Sequence, residues 1–238
     1  MKKNVISYSL WGDNPKYWIG ALRNIDLAKK YYPGWVSRFY VDETCDPKLY
    51  QTLQSDDVEI ILVNVNTLPN NYNGHVGSFA GMFWRFWATE DSDVDIFLSR
   101  DTDSRISERE SDAVFEWLNS DKDFHVMRDH PYHTAKIMGG MWGLRNGLGI
   151  KLNLSEKIKS WTSIPRTQFV NGIDQDFLAE IIYPLVRENC FEHSEFNIHF
   201  GNSTRSFPKQ RVDLEFVGDT FDENDVRHPE YWKILVEK

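Results

Sequence analysis

The sequence predicts an α/β domain with a mainly parallel central sheet flanked by helices, and three observations carry that expectation. Short β-branched and apolar runs alternate with stretches whose apolar residues recur at helical spacing. The connections between them are short and hold the residues that cap helices and turn chains. One apolar run, Ile96–Phe97–Leu98, leads almost directly into Asp101–Thr102–Asp103, which places charge beyond the carboxyl end of a strand, where open α/β sheets bind ligands. The 238 residues suit one domain spanning 1–238 with an ample buried core.

The elements follow in order. Asn4–Val5–Ile6–Ser7–Tyr8–Ser9 reads as the first strand, and Leu10–Trp11–Gly12–Asp13 as the loop after it. A helix then starts with Asn14 as N-cap and Pro15 at its first position, continues through Tyr17, Trp18, Ala21, Leu22, Ile25 and Ala28, and stops at Pro33–Gly34. Val36 to Val41 is a second strand ending in Asp42–Glu43, a short helix follows Asp46–Pro47, and the β-branched run Val58 to Val63 is a third strand. Residues 77 to 88 suggest a helix buried on most sides, and Val94 to Ser99 a fourth strand. Ser107 with Glu110 forms a capping box, and Val114, Trp117 and Leu118 supply the apolar stripe of the helix it opens. The second half is less regular. A helix is expected from Gln175 to Arg187 despite Pro184, followed by a polar, loop-rich C-terminal part in which Asp222–Glu223–Asn224–Asp225 reads as a solvated acidic turn.

Composition removes several function classes. Hydrophobic residues at 41% and charged residues at 26% are ordinary for a globular protein and exclude disorder, collagen and coiled coil. The 36 acidic residues against 27 Lys plus Arg give a net charge of −9, which argues against a nucleic-acid partner. Two cysteines, Cys45 and Cys190, make no disulfide framework, so a cytoplasmic location is expected. Met1–Lys2–Lys3 is not followed by a signal-peptide core, and no apolar run approaches the ~20 residues of a transmembrane segment.

Two carboxylates two positions apart on a tight turn, as in Asp101 and Asp103, can converge on one hard cation, Mg²⁺ or Mn²⁺; a plain solvated turn is the alternative. Such a cation would let an acidic protein clamp a diphosphate without a basic patch. An EF-hand is a poor fit, because Ile106 stands where that loop needs glycine. His130 and His133 have an H-x-x-H spacing with only Asp129 as an obvious third ligand, so hydrogen-bonding or acceptor-site roles are expected in place of zinc. Arg85 has a structural ion pair as its plain alternative, and Trp11, Trp84 and Trp142 could either stack on a base or sugar or fill the core.

Ser99–Arg100–Asp101–Thr102–Asp103 after an apolar strand resembles the DXD motif of GT-A-fold, nucleotide-sugar glycosyltransferases. Three further segments fit in order. Gly77 to Ala88, with Arg85, is similar to the donor-facing helix before that motif. Gly139–Gly140–Met141–Trp142–Gly143 is similar to the small-residue strand lining the donor sugar, and Asn171–Gly172–Ile173–Asp174–Gln175–Asp176 to the Asp-Gln segment beside the transferred sugar. The C-terminal His-x-Gly-x-x-Lys-Pro-Trp pattern of some relatives appears only as His199–Phe200–Gly201 and Phe207–Pro208–Lys209.

The resemblance implies a single Rossmann-like GT-A domain, with a nucleotide-binding half at 1–105 and a sugar and acceptor half at 106–238. It implies metal-assisted transfer of a sugar from a nucleotide-diphosphate donor, a UDP-sugar first, to a glycan or other hydroxyl acceptor. Ser7, Leu10, Trp11, Asp42, Arg85, Arg100, Asp101, Thr102, Gly140 and Lys209 would bind the donor, and Asp101, Asp103 and His199 the Mn²⁺ or Mg²⁺ ion. Asp174 and Gln175 would be catalytic, although Asp174 could instead be only the N-cap of its helix. The basic residues of the Asn202 to Arg211 segment would fold over the diphosphate as a closing loop. The rivals are a carbohydrate- or nucleotide-binding module without turnover and a metal-dependent nucleotidyltransferase or phosphoesterase.

Overall fold

The structure, a computed structural model, describes residues 2–53, 55–64, 79–164, 171–196, 200 and 204–236. Gly77, Ser78, His199 and the stretch 201–203 therefore lie outside the described residues, and with them the expectation of a histidine metal ligand.

Eight strands form one sheet: β1 Lys3–Leu10, β2 Val36–Val41, β3 Val58–Leu62, β4 Val94–Ser99, β5 Phe124–Arg128, β6 Trp142–Arg145, β7 Cys190–Ser194 and β8 Thr204–Arg205. Their order is β3-β2-β1-β4-β6-β5-β7-β8. All neighbours run parallel except β6, which is antiparallel to both β4 and β5. The alternation of side chains along a strand divides two cores between the faces. Ile6, Tyr8 and Leu10 of β1 with Ile96 and Leu98 of β4 meet α1 (Pro15–Tyr31) and α3 (Glu108–Leu118). Val5 and Phe97 point the other way, toward Phe83, Phe86, Trp142 and Phe177. The short α2 (Pro47–Leu53) links β2 to β3. Among the described residues, no helix is long and apolar enough to cross a membrane.

Helix starts follow the local chemistry. Asn14 accepts a hydrogen bond from the Lys16 N–H (3.1 Å) and so caps α1. Ser107 caps α3 through the Glu110 N–H (3.2 Å), but the reciprocal half of the capping box is missing. The Glu110 carboxylate goes instead to Arg100 (2.7 Å) and the Tyr32 hydroxyl (3.1 Å), a buried charge pair that outcompetes a backbone amide.

Three segments differ from expectation. Phe79–Glu90 is a 3-10 helix. Its three-residue repeat stacks Met82 and Arg85 on the side of a cleft and aims Phe83 and Phe86 into the core. The helix expected from Gln175 starts earlier and is broken into α6 (Ile173–Phe177), a π turn (Leu178–Ile182) and α7 (Tyr183–Val186). Pro184 has no N–H to give the preceding turn, and the wider π turn absorbs that loss. Finally, β5, β6, α4 (Asn146–Leu152) and α5 (Leu154–Thr162) fill a stretch read only as less regular, although Leu154, Ile158 and Trp161 recur at helical spacing in α5 and are buried.

Candidate active site

β1 and β4 lie side by side with Ser7 opposite Ser99, so their carboxyl ends open together. A cleft of about 490 Å³ lies there. Ser9, Leu10 and Trp11 line it from the end of β1, Lys16 and Tyr17 from the first turn of α1, and Met82 and Arg85 from the 3-10 helix. Asp101, Thr102, Asp103, Gly139, Asn171, Asp174, Gln175 and Thr220 complete it.

Close backbone approach holds the Asp101–Asp103 turn in place. A Cβ at Gly20 would stand 1.8 Å from the Thr102 carbonyl oxygen, so only glycine lets α1 pack against the turn. Asn24, one turn along α1, donates to the Ser104 carbonyl (2.8 Å) and accepts from the Ile106 N–H (3.1 Å). The C-terminal segment closes the other side, with the Phe221 N–H donating to the Asp103 carbonyl (2.9 Å). The acidic turn read as merely solvated takes part in this. Asp225 accepts from Arg105 (2.8 Å) and Arg23 (2.5 Å), because the turn folds back over the loop after β4 and meets two guanidinium groups.

Arg85 is the hub of the polar wall. Ser7 donates to its carbonyl (2.7 Å) and Ser9 accepts from its N–H (2.9 Å), which ties the 3-10 helix to β1. Its guanidinium pairs with Asp101 and, at 2.7 Å, with Asp174. Burial alone would depress the Arg85 guanidinium, but the two carboxylates outweigh it and hold its pKa above the usual value. Asp174 has a side chain only 3% exposed; burial pushes its carboxyl up, and the Asp101 charge adds to this against the pull of Arg85. Asp174 is not an N-cap. Gly172, at φ 87°, takes that position, and Asp174 lies inside the first turn, its carboxylate on Arg85.

The glycine pair expected beside the donor has a steric cause. A Cβ at Gly139 would come 2.2 Å from Asp174 Oδ2, and one at Gly140 would come 2.1 Å from Asp101 Oδ2. The backbone entering β6 therefore runs against both carboxylates.

Asp101 and Asp103 differ in setting. The Asp101 side chain is 46% exposed; that of Asp103 is 17% exposed and takes a hydrogen bond from Lys16 Nζ at 3.0 Å. Burial raises the Asp103 pKa, and the Asp101 charge raises it further. Two hard-oxygen donors that repel each other across one turn are a donor pair that a divalent cation fits. Among the described residues, no group of three or more His, Cys, Asp or Glu side chains is placed to hold a metal.

Other expected residues lie elsewhere. Asp42 is buried below the cleft and accepts from the Thr44 N–H (3.0 Å), while Thr44 in turn accepts from the Gly12 N–H (2.7 Å). Arg100 is buried on Glu110 and the Ser99 carbonyl, behind the turn. Lys209 pairs with Glu108 at the start of α3 (2.5 Å), Arg205 with Glu116 (3.3 Å) and Arg211 with Asp129, and Phe207 is buried under Arg109. Residues 204–211 are thus fastened to α3 and the end of β5, and none lines the cleft. His133 accepts from the Asp129 N–H (3.0 Å), His130 accepts from the Tyr132 N–H (3.1 Å), and His130 Nε2 lies 3.0 Å from the Tyr231 carbonyl. Asn171 lines the cleft within the segment expected beside the sugar, whereas sequence reasoning missed Lys16, Tyr17 and Thr220 as wall residues. Of these, only Lys16 and Tyr17 carried a signal, their place in the turn after the first strand.

No protein-family model matches the chain, and no curated protein matches it by sequence. Solved structures do. The galactosyltransferase LgtC, in complex with donor and acceptor sugar analogues, is 12% identical with a TM-score of 0.53, covering 79% of this chain and 73% of LgtC. A glycosyltransferase involved in glycosylation of the major capsid of PBCV-1 is 11% identical with a TM-score of 0.50, covering 81% of each chain. The glycosyltransferase GlyE of Streptococcus pneumoniae TIGR4 is 13% identical with a TM-score of 0.53, covering 81% of this chain and 45% of GlyE. The chain has the GT-A fold of these glycosyltransferases, a single mostly parallel α/β sheet with its cleft at the carboxyl ends of the strands.

Proposed function

We propose that the chain is a cation-assisted glycosyltransferase that moves a sugar from a nucleoside-diphosphate donor, UDP first among the candidates, to a hydroxyl of a glycan or other acceptor. One observation supports this reading above the rest. In a fold of the glycosyltransferase type, two carboxylates on the turn after β4 share a cleft with a guanidinium that also grips a third, buried carboxylate.

Asp101 and Asp103 would hold Mn²⁺ or Mg²⁺, and the ion supplies charge neutralisation for a diphosphate leaving group. The chain's own side chains do the rest. Arg85 fixes the Asp174 carboxylate at 2.7 Å and shields it from Asp101. Asp174 then presents a nearly dry carboxylate to the cleft, able to stabilise positive charge on the sugar ring or to accept the acceptor's hydroxyl proton. Gln175, beside it in the lining, has an amide suited to sugar hydroxyls. Trp11 brings an aromatic ring to the same wall, where base or sugar can stack.

The test is a panel of nucleotide sugars with Mn²⁺, the products analysed by mass. Free nucleoside diphosphate is expected, at a rate that EDTA abolishes and that falls at least ~100-fold in Asp103→Ala while the circular dichroism spectrum is kept. Release of nucleoside monophosphate would make the protein a phosphoesterase or nucleotidyltransferase. Tight donor binding without any turnover would make it a binding module.

A further inference from the structure

Lys16 sits against the second carboxylate of the turn, and the fold is built to keep it there. α1 is locked onto the turn through Gly20 and Asn24, and this delivers Lys16 Nζ to 3.0 Å from Asp103 Oδ2. The ammonium also lies 4.5 Å from the Tyr17 ring centroid, and its side chain stays 26% exposed and lines the cleft. Asp101 is paired with Arg85 in the same way. Each carboxylate of the turn thus already carries a basic partner from another element.

The two partners are not equivalent. Arg85 is buried, and its terminal nitrogens are committed to Asp101, Asp174 and the Arg100 carbonyl. Lys16 has a flexible stem, and among the described residues its ion pair is with Asp103 alone. Charge counting points the same way. Among the described residues, ionised Asp101, Asp103 and Asp174 against Lys16 and Arg85 leave the wall one negative charge in excess. A divalent cation on Asp101 and Asp103 would reverse that to one positive charge and leave the Lys16 ammonium facing a cation. The nearest relief is an anion in the cleft, and the diphosphate of a donor is one.

We infer that Lys16 stands in for the cation at Asp103 while the cleft is empty and becomes a ligand of the donor's diphosphate once the cation is bound. This rests on the glycosyltransferase reading of the cleft. It makes Lys16 a competitor of the metal and a helper of the nucleotide, two effects of opposite sign on one side chain.

The test uses Lys16→Met, which keeps the stem and removes the charge, and Lys16→Arg, which keeps the charge. Two affinities are read for each: Mn²⁺ alone, from the electron paramagnetic resonance signal of free Mn²⁺, and the tightest binder among UDP, GDP, CDP and ADP at saturating Mn²⁺, by calorimetry. Lys16→Met should bind Mn²⁺ about tenfold tighter and the nucleotide about tenfold weaker, the scale of one charge-assisted hydrogen bond, while Lys16→Arg stays near wild type in both. Both affinities moving together, only one moving, or neither moving overturns the inference. Wild-type protein that binds neither Mn²⁺ nor any of the nucleotides overturns the reading of the cleft and this inference with it. Wild-type binding of both, with Lys16→Met indistinguishable from it, overturns this inference alone.

Discussion

The carboxyl ends of β4 and β5 carry the same dipeptide, Arg100–Asp101 and Arg128–Asp129, and the fold uses the two in opposite ways. In both, the arginine is buried on a glutamate, Arg100 on Glu110 and Arg128 on Glu192. The aspartates diverge. Asp129 is fully buried and accepts from Arg109 through both oxygens (2.7 and 2.8 Å), from Arg211 and from the Val217 N–H (2.9 Å). Asp101 is half-exposed and lines the cleft, with Arg85 on one oxygen and the Gly140 backbone close to the other. The same charge is a structural rivet where its lone pairs are filled and a candidate ligand where they are not.

The largest expected effect breaks the comparison at the sealed site. Asp129→Ala leaves the buried Arg109 only Glu195 and the Lys209 carbonyl, takes the carboxylate from Arg211 and unpairs the buried Val217 N–H, and should cost about 3–5 kcal/mol, the usual scale for removing one partner of a buried ion pair. Asp101→Ala leaves Arg85 its pairing with Asp174 and removes a half-exposed group, so stability should change by less than about 1 kcal/mol. Urea unfolding of the two variants checks this. Equal losses would mean that Asp101 is structural too.

Next comes Asp174, a buried carboxylate like Asp129 but one that borders the cleft. Asp174→Asn keeps the shape and an oxygen for Arg85 but removes the anion. Nucleotide binding should survive while transfer falls at least ~100-fold, the lower scale for a positioned acid–base or electrostatic group. The structure removes the rival explanation, since Gly172 holds the capping position. Transfer at the wild-type rate would take Asp174 out of the mechanism.

The contrast between the two sites also shows what a single sequence can reveal. β1 to β4, α1 and α3 were readable because caps, proline and apolar spacing agree locally, and Asp101 stood out because an uninterrupted apolar strand runs into it. Phe124–Arg128 was not readable. It is short and ends in charge, and it is a strand only because β6 and β7 pair with it from later in the chain. Lys16 was hidden for the same reason, as its partner Asp103 is 87 positions away. Asp129 stood out in the sequence only as a neighbour of two histidines too few for a zinc site, and Arg109, Arg211 and Val217, each brought by tertiary contact, make it a rivet.

The smallest expected effect sharpens the comparison through pH, because the sealed side also buries histidines. His125 Nε2 lies 2.9 Å from His193 Nδ1, and His193 Nε2 lies 3.2 Å from Glu116. Burial pushes the His193 imidazole down to about 4, with Glu116 opposing, and pushes His133 down to about 3. The sign follows from proton counts. Between these values and the ordinary 6.5, the unfolded chain binds protons that the folded chain refuses, so stability is full above about 6.5 and falls as the pH drops toward 4. Asp219 acts in the opposite direction. Burial raises its carboxyl to about 6, so below that pH it takes up a proton more readily folded than unfolded and offsets one histidine. The loss on acidification should therefore persist at reduced slope. His193→Gln should flatten the unfolding free energy between pH 6.5 and 5 by about 1 kcal/mol per pH unit on average, approaching the one-proton limit of about 1.4 only near pH 5. Denaturant titrations at several pH values, wild type against variant, measure that slope. An unchanged slope would mean that His193 carries its proton in the folded protein and that the end of β7 is wetter than the sealed site beside it.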